Sequence, residues 1–465
     1  MKPIKKSVNQ NRRGVILIMS MIFILIFSVL AIGLSTMSSS NLEIAGNYSK
    51  ANQAYTSATS GIETLQYWLK HADIDMPYDV PPQERFIWVA YLLWHDMEHE
   101  NGINIDVSSN SVVLENFPLN SMLGESFTAV VQPEPNNIDM LQVNATGFAG
   151  QIDRTIRVNY IYGTRAHSVF NYGVATKGPL SLIGNIEMSG TNVSVDSSVY
   201  IESENVNEAL SIIGNSQIAG DVNITNPDAY VTLQGGQAGI GGETGQDAID
   251  NHVSIGVPPT EFPVPIPSYF EHYVQSIYDP NNILTEYENV KIPAGTNPSF
   301  AGGITFKGIV YIEVPNIVTF TGHVTITGII VADGELDDNS GTNHIDFLGT
   351  VDSYPVTDLP LPEDAPQFAG LRDETGTFLM APGFSVSFGG DFETLNGSIA
   401  ANGIEFFGNA GGTIEGSVLN YSNTPMTLAG NSDLFFNRTA NGEVPAGFGP
   451  EIVLHYVPNS YSEIN

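Results

Sequence analysis

Twenty uncharged residues, 15–34 (VILIMSMIFILIFSVLAIGL), follow directly on Arg12-Arg13-Gly14. A run of this length crosses the ~30 Å hydrocarbon core of a bilayer as a helix. Lys2, Lys5, Lys6, Arg12 and Arg13 precede it with no acid among them. Positive charge of that kind holds the short N-terminus on the cytoplasmic side, so everything after residue 34 is expected across the membrane. A cleaved secretory signal would have a shorter apolar region, roughly 7–15 residues, followed by a small-residue cleavage site. Here the sequence after residue 34 keeps a helical pattern, and a retained anchor is the expectation.

The 465 residues give room for two or three domains with cores of their own. The formal charge is −34, and loss of residues 1–14 would leave 11 Lys and Arg against 50 Asp and Glu. Such a surface repels nucleic acid and anionic lipid headgroups, so nucleic acid is excluded as a partner. A charged fraction of only 14%, with 46 Gly, suits a secreted β-rich protein rather than a disordered acidic tail. The absence of cysteine rules out disulfides, thiolate metal sites and cysteine nucleophiles.

Beyond residue 34 the chain turns polar but stays helical in period. Ile44, Tyr48, Ala51, Tyr55, Ala58, Ile62, Leu65 and Leu69 are three or four residues apart and form an apolar stripe. Between residues 15 and 70 the charges are Glu43, Lys50, Glu63 and Lys70 alone. One helix over 15–70 would be ~84 Å long, with Gly33, Gly46 and Gly61 as places for bending or close approach. The stripe fits packing on the protein's own next domain and packing within a bundle of similar helices.

These residues resemble those of a type IV prepilin, in particular the PilX-type minor pilins. Arg13-Gly14, an apolar helix, then Glu43-Ile44-Ala45-Gly46-Asn47 and Ser60-Gly61-Ile62-Glu63 carry the resemblance over residues 12–70, with weaker similarity to about 190. It implies a bacterial leader, 1–14, cut by a prepilin peptidase between Gly14 and Val15, with Val15 then methylated. It also implies storage in the inner membrane and assembly with other pilin subunits through residues 15–70. Major pilins of this kind place Glu five residues into the mature chain, to pair with a neighbour's terminal amine; here that residue is Met19. A buried charge is tolerated only when paired, so its loss fits a tip or sparse subunit, and equally the tip pseudopilin of a type II secretion system.

Residues 71–83 hold Asp73, Asp75, Pro77, Asp79, Pro81 and Pro82 and break the helix. A short buried helix over 86–98 and alternating strands at 103–107, 112–115, 127–131, 141–145 and 155–162 follow. The expected first part is therefore α+β: the long helix of 15–70, then a pilin-like helix and small antiparallel sheet over 71–163. From 164 to 465 short apolar strands alternate with Gly-Asn punctuation: Leu182-Ile183-Gly184-Asn185, Ile212-Ile213-Gly214-Asn215, Phe406-Phe407-Gly408-Asn409 and Leu428-Ala429-Gly430-Asn431. Spacings of 30 (184 to 214) and 22 (408 to 430) match the rungs of a solenoid. A mainly-β right-handed parallel β-helix is the expected architecture, with a β-sandwich as the alternative. Pro-rich insertions at about 257–285 and 352–366 interrupt it, as a lid, an end cap or a binding face.

For metals, Asp333, Glu335, Asp337 and Asp338 in ADGELDDN are candidate Ca²⁺ ligands, though the spacing is not that of an EF-hand. No other cofactor is implied. For catalysis, a membrane-tethered polysaccharide enzyme would use paired carboxylates such as Asp337-Asp338, or His344 with Asp346. The basic residues from Arg165 onward do not cluster as a lyase would need. The expectation is a non-enzymatic subunit whose solenoid binds a glycan or another surface polymer outside the cell, with a secretion pseudopilin and a tethered enzyme as alternatives.

Overall fold

The computed structural model describes residues 12–71, 80–120, 124–336, 341–438 and 444–464. They fall into two compact units, Thr164–Glu451 and the stretches that precede and follow it in sequence. Most of the 71–83 breaker lies outside the described residues; Pro81 and Pro82 lead through a turn into the next helix.

In the first unit, α1 (Arg12–His71) is a single helix of 60 residues, ~90 Å long at 1.5 Å per residue. A second helix, α2 (Arg85–Leu93), runs on into a π-helical turn, Trp94–Glu100. The antiparallel sheet has β1 (Asp106–Val107), β2 (Val112–Asn120), β3 (Glu125–Glu134), β4 (Asn137–Ala149) and β5 (Ile152–Arg165) in sequence order. Period-two alternation buries Phe127, Ala129 and Val131 of β3 and Leu141, Val143 and Ala145 of β4, against Leu65 and Leu69 of α1 and Phe86, Val89 and Leu93 of α2. The helix expected to be buried over 86–98 is buried on one face alone: Trp88, Tyr91 and Trp94 point outward. The strands Glu451–Tyr456 and Ser462–Ile464 join this sheet beside β5. Residues 452–464 thus belong here and not to the second unit, where the sequence reading placed them; β5 would otherwise be an edge strand with unpaired backbone groups.

The second unit is built on three sheets of nine, seven and twelve strands. The chain visits them in rotation: Val174–Thr176 lies in the twelve-stranded sheet, Leu180–Gly184 in the nine-stranded, Glu187–Gly190 in the seven-stranded, and Val199–Ile201 back in the twelve-stranded. Strands one circuit apart pair in parallel, as Leu180–Gly184 does with Leu210–Gly214. An antiparallel sandwich, the alternative, does not produce that pairing.

The Gly-Asn motif is the corner of four adjacent circuits, and Gly235 takes the same corner on the next. Gly184, Gly214, Gly235, Gly408 and Gly430 all have positive φ. A Cβ on Gly184 would lie 2.2 Å from the carbonyl oxygen of Gly430, one on Gly214 2.4 Å from that of Gly184, and one on Gly430 2.4 Å from that of Gly408. Only glycine meets both demands. The next residues stack by amide hydrogen bonds: Asn215 donates to Asn185, Asn185 to Asn431, and Asn431 to Asn409. The spatial order is therefore 408, 430, 184, 214. The chain enters the stack in its middle and builds outward to residue 255. It resumes at the far end with Ser276–Ile277 and returns until Met426–Gly430 pairs with Leu180–Gly184.

That route explains the first Pro-rich insertion. Val253–Ile255 and Ser276–Ile277 lie at opposite ends of the twelve-stranded sheet, about 48 Å apart at ~4.8 Å per strand. The residues between them reach about 60 Å if extended at ~3.1 Å each but only about 30 Å as an α-helix. Pro258, Pro259, Pro263, Pro265 and Pro267 keep the segment extended, and Pro267–Tyr273 forms a 3-10 turn. Neither insertion is a lid: Phe262 and Phe270 of the first, with Val356 and Leu359 of the second and Phe368 just after it, are buried against Ala175, Tyr200, Ile329, Val331 and Leu419 on the outer face of the sheet. The Tyr421 hydroxyl donates to the Pro263 carbonyl, and the Thr260 amide donates to the Tyr200 hydroxyl.

Inside, Phe300, Phe320, Phe347, Phe388 and Phe406 form one column on the nine-stranded sheet. Their rings stack at 4.9–5.3 Å with interplanar angles of 8–17°, and Leu428, Leu182 and Ile212 continue the column. The outward column beside it reads Ser299, Thr319, Asp346, Ser387, Glu405, Thr427, Ser181, Ser211, Thr232 in the same register.

Phe347→Ala removes a fully buried ring from the middle of the column, and is expected to destabilise the second unit by about 3–5 kcal/mol in chemical unfolding. Burial pushes the hydroxyls of Tyr200 and Tyr311 up to about 12 and that of Tyr421 well above its ordinary value. The folded state thus holds these protons more tightly than the unfolded chain, whose tyrosines titrate near ~10. Their contribution is fully present below pH ~10 and is lost as the pH rises toward ~12. Urea midpoints should be insensitive to these groups from pH 7 to 9 and fall above ~10, with a smaller fall in Tyr200→Phe.

Candidate functional site

Every side chain from Val15 to Lys50 on α1 is exposed in the protomer. At 1.5 Å per residue that is ~54 Å of uncovered helix, and it includes the whole apolar run. Met19 is 56% exposed among Leu17, Ile18 and Ile22, with nothing polar in its first apolar turns except Ser20, whose hydroxyl donates back to the Leu17 carbonyl. Gly14 lies within the helix, and Val15 beside it is exposed. Glu43 and Ile44 are exposed, as is Tyr48.

The buried face of α1 begins only at Ala54 and consists of Ala54, Ser57, Ala58, Gly61, Leu65 and Leu69. The predicted stripe agrees at Ala58, Leu65 and Leu69. Ala51 and Ile62 are half-buried, and Tyr48 and Tyr55 face outward. The cause is close approach. A Cβ on Gly147 of β4 would lie 2.1 Å from the Ala54 carbonyl oxygen and 2.3 Å from the Ala58 amide nitrogen, and one on Gly61 would lie 2.8 Å from the Phe127 ring. The helix backbone rests directly on the sheet where both sides are small, so tyrosine cannot occupy that face. Tyr55 instead accepts from the Tyr461 hydroxyl at 2.9 Å. The signal missed in the sequence was the spacing of small residues at 54, 57, 58 and 61.

Of the candidate calcium ligands, Asp337 and Asp338 lie outside the described residues. The Asp333 carboxylate accepts from the Gly334 amide at 2.9 Å. Among the described residues no group of three or more His, Asp or Glu is placed to hold a metal ion. His344 and Asp346 turn to different partners: His344 Nε2 to the Gly341 carbonyl, Asp346 to the Ser387 hydroxyl.

Residues 13–63 match the PilX N-terminal family. The N-terminal part of this chain is type IV pilin-like, and its apolar helix fits a pilin-type membrane anchor. Among solved structures, the competence-associated pilin ComZ from Thermus thermophilus is 11% identical over 89% of this chain and 97% of that one, with a TM-score of 0.22. A score that low carries nothing about the fold, so the pilin likeness rests on residues 13–63. No curated protein sequence matches the chain.

Gly147→Ala forces a methyl group into backbone atoms of α1, and is expected to destabilise the first unit by about 1–3 kcal/mol. Gly33 has no heavy atom within 4 Å of its Cβ position, so Gly33→Ala should leave the unfolding transition unchanged.

Proposed function

We propose that this chain is a minor subunit of a type IV filament, at its tip or sparsely along it, which carries an extracellular adhesive domain. Prepilin peptidase cuts the Gly14–Val15 bond, Val15 is methylated, and the subunit waits in the inner membrane with its N-terminus in the cytoplasm. Assembly then moves α1 from lipid into a bundle of other pilin helices. The uncovered helix of residues 15–50 carries this reading: so much apolar surface requires either lipid or neighbouring helices around it. Gly33 and Gly46, unexplained by packing within the protomer, leave room for such neighbours. Met19, in place of an acid, removes the demand for a partner amine and suits a subunit that need not repeat.

The second unit, on this reading, is a right-handed parallel β-helix that binds a surface polymer and performs no chemistry. Its cations support binding over lyase catalysis. Arg165 is held by Glu451, Lys291 by Glu271 and Glu313, Lys307 by Glu286, and Arg438 by Asp196 and three backbone carbonyls. None of these pairs leaves a cluster to stabilise an enolate.

N-terminal sequencing and mass spectrometry of protein from sheared filaments should find a chain that begins at methylated Val15. Gly14→Leu should abolish processing and filament labelling together. Immunogold confined to the membrane would shift the reading to a secretion pseudopilin, and an intact Met1 in the membrane fraction would sink both.

A further inference from the structure

The outer face of the twelve-stranded sheet is buried under the two Pro-rich insertions, whereas the outer face of the nine-stranded sheet stays exposed. Its side chains stand in three parallel rows that run across the strands. The first is the hydroxyl column already described, with Asp346 and Glu405 among its serines and threonines. The second lies two residues further along each strand and is apolar on four adjacent rungs: Ile213, Ile183 and Ala429 are in register, and Phe407 follows the inward Phe406 on the next rung; Gln234 ends the row on one side, and Gly389 separates it from Leu348 on the other. Ile183 is 44% and Leu348 46% exposed. Phe407 rests on Gly389, where a Cβ would lie 2.5 Å from the ring, so the glycine lets an aromatic ring settle onto the sheet. The third row is the asparagine ladder.

The rows repeat at the strand spacing, ~4.8 Å; the hydroxyl column runs over the nine strands, about 38 Å, and the apolar row and the asparagine ladder accompany it on the four adjacent rungs of Phe407, Ala429, Ile183 and Ile213, about 14 Å. Backbone pairing fixes the rows, and the asparagines are further locked by their own hydrogen bonds, so little side-chain freedom would be lost on binding. An apolar strip between two polar strips matches one kind of polymer. A sugar ring offers an apolar face of C–H groups and a rim of hydroxyls, which the aromatic and aliphatic row and the flanking hydroxyl, carboxylate and amide rows can take together. The three rows contain two acids and no Lys or Arg, which excludes an anionic polymer.

The geometry points to a binding site for a linear uncharged polysaccharide, laid across the rungs of the nine-stranded sheet with its sugar faces on the Phe407–Ile183 row. This rests on the adhesive reading above and names its surface and its ligand class. Detergent-solubilised full-length protein can be run in native gels that contain hydroxyethylcellulose, galactomannan, dextran or alginate. Retardation by at least one of the first three and none by alginate is expected. Phe407→Ser combined with Ile183→Ser should weaken retardation by roughly tenfold or more at an unchanged thermal transition, while Phe407→Tyr retains it. No retardation by any uncharged polymer, equal retardation by alginate, or indifference to the double variant overturns the site. The filament reading fails separately, through the processing and labelling of Val15, which this assay does not touch.

Discussion

The second unit depends on one contact repeated along its length: the carbonyl oxygen of one corner glycine occupies the space where a Cβ on the next would stand. The parallel ladders set the separation of the rungs at ~4.8 Å, which leaves no room for a side chain at such a corner and brings the phenylalanines and the asparagines into stacking distance. A single circuit of three short strands cannot bury its apolar face, so each circuit is stable only against the next. The demand is met at the point of chain entry as well. Leu180–Gly184 pairs on one side with strands that follow soon after and on the other with strands some 245 residues later, as in Asn185 with Asn431.

Beginning a stack in its middle imposes the second constraint. One connection must run from one end to the other, and only an extended chain is long enough. The prolines that look in the sequence like an interruption are what keep that connection extended, and its aromatic side chains cover a sheet face that would otherwise expose apolar residues on both sides. Tyr200 and Tyr421 hold the connection by their hydroxyls, and burial beneath it raises both of them, while the Thr260 amide works against the rise at Tyr200.

In the first unit the corresponding constraint is the fit of small residues. Ala54, Ser57, Ala58 and Gly61 let α1 lie against Gly147 and Phe127, which fixes the helix rotation. Residues 15–50, N-terminal to that contact, are left uncovered. The sharp change along one helix, from buried at 54 to wholly exposed before 51, separates the part that belongs to the protomer from the part that must find its partners elsewhere.

The sequence alone determined the apolar helix, because twenty consecutive uncharged, mostly apolar residues have few other fates. It also determined the alternating strands and the Gly-Asn corners, because positive φ and close stacking leave only glycine, and the asparagine beside it can hydrogen-bond along the stack. These are local requirements, written in neighbouring residues. Tertiary structure decided what depends on distant residues. Which copies of the motif adjoin, with 430 beside 184, is set by backbone pairing that no spacing reveals. The return of residues 452–464 to the first sheet answers the open edge of β5. The helix face that is buried follows from a glycine almost ninety residues away, and the rows on the nine-stranded sheet exist only once strands far apart in sequence share a register.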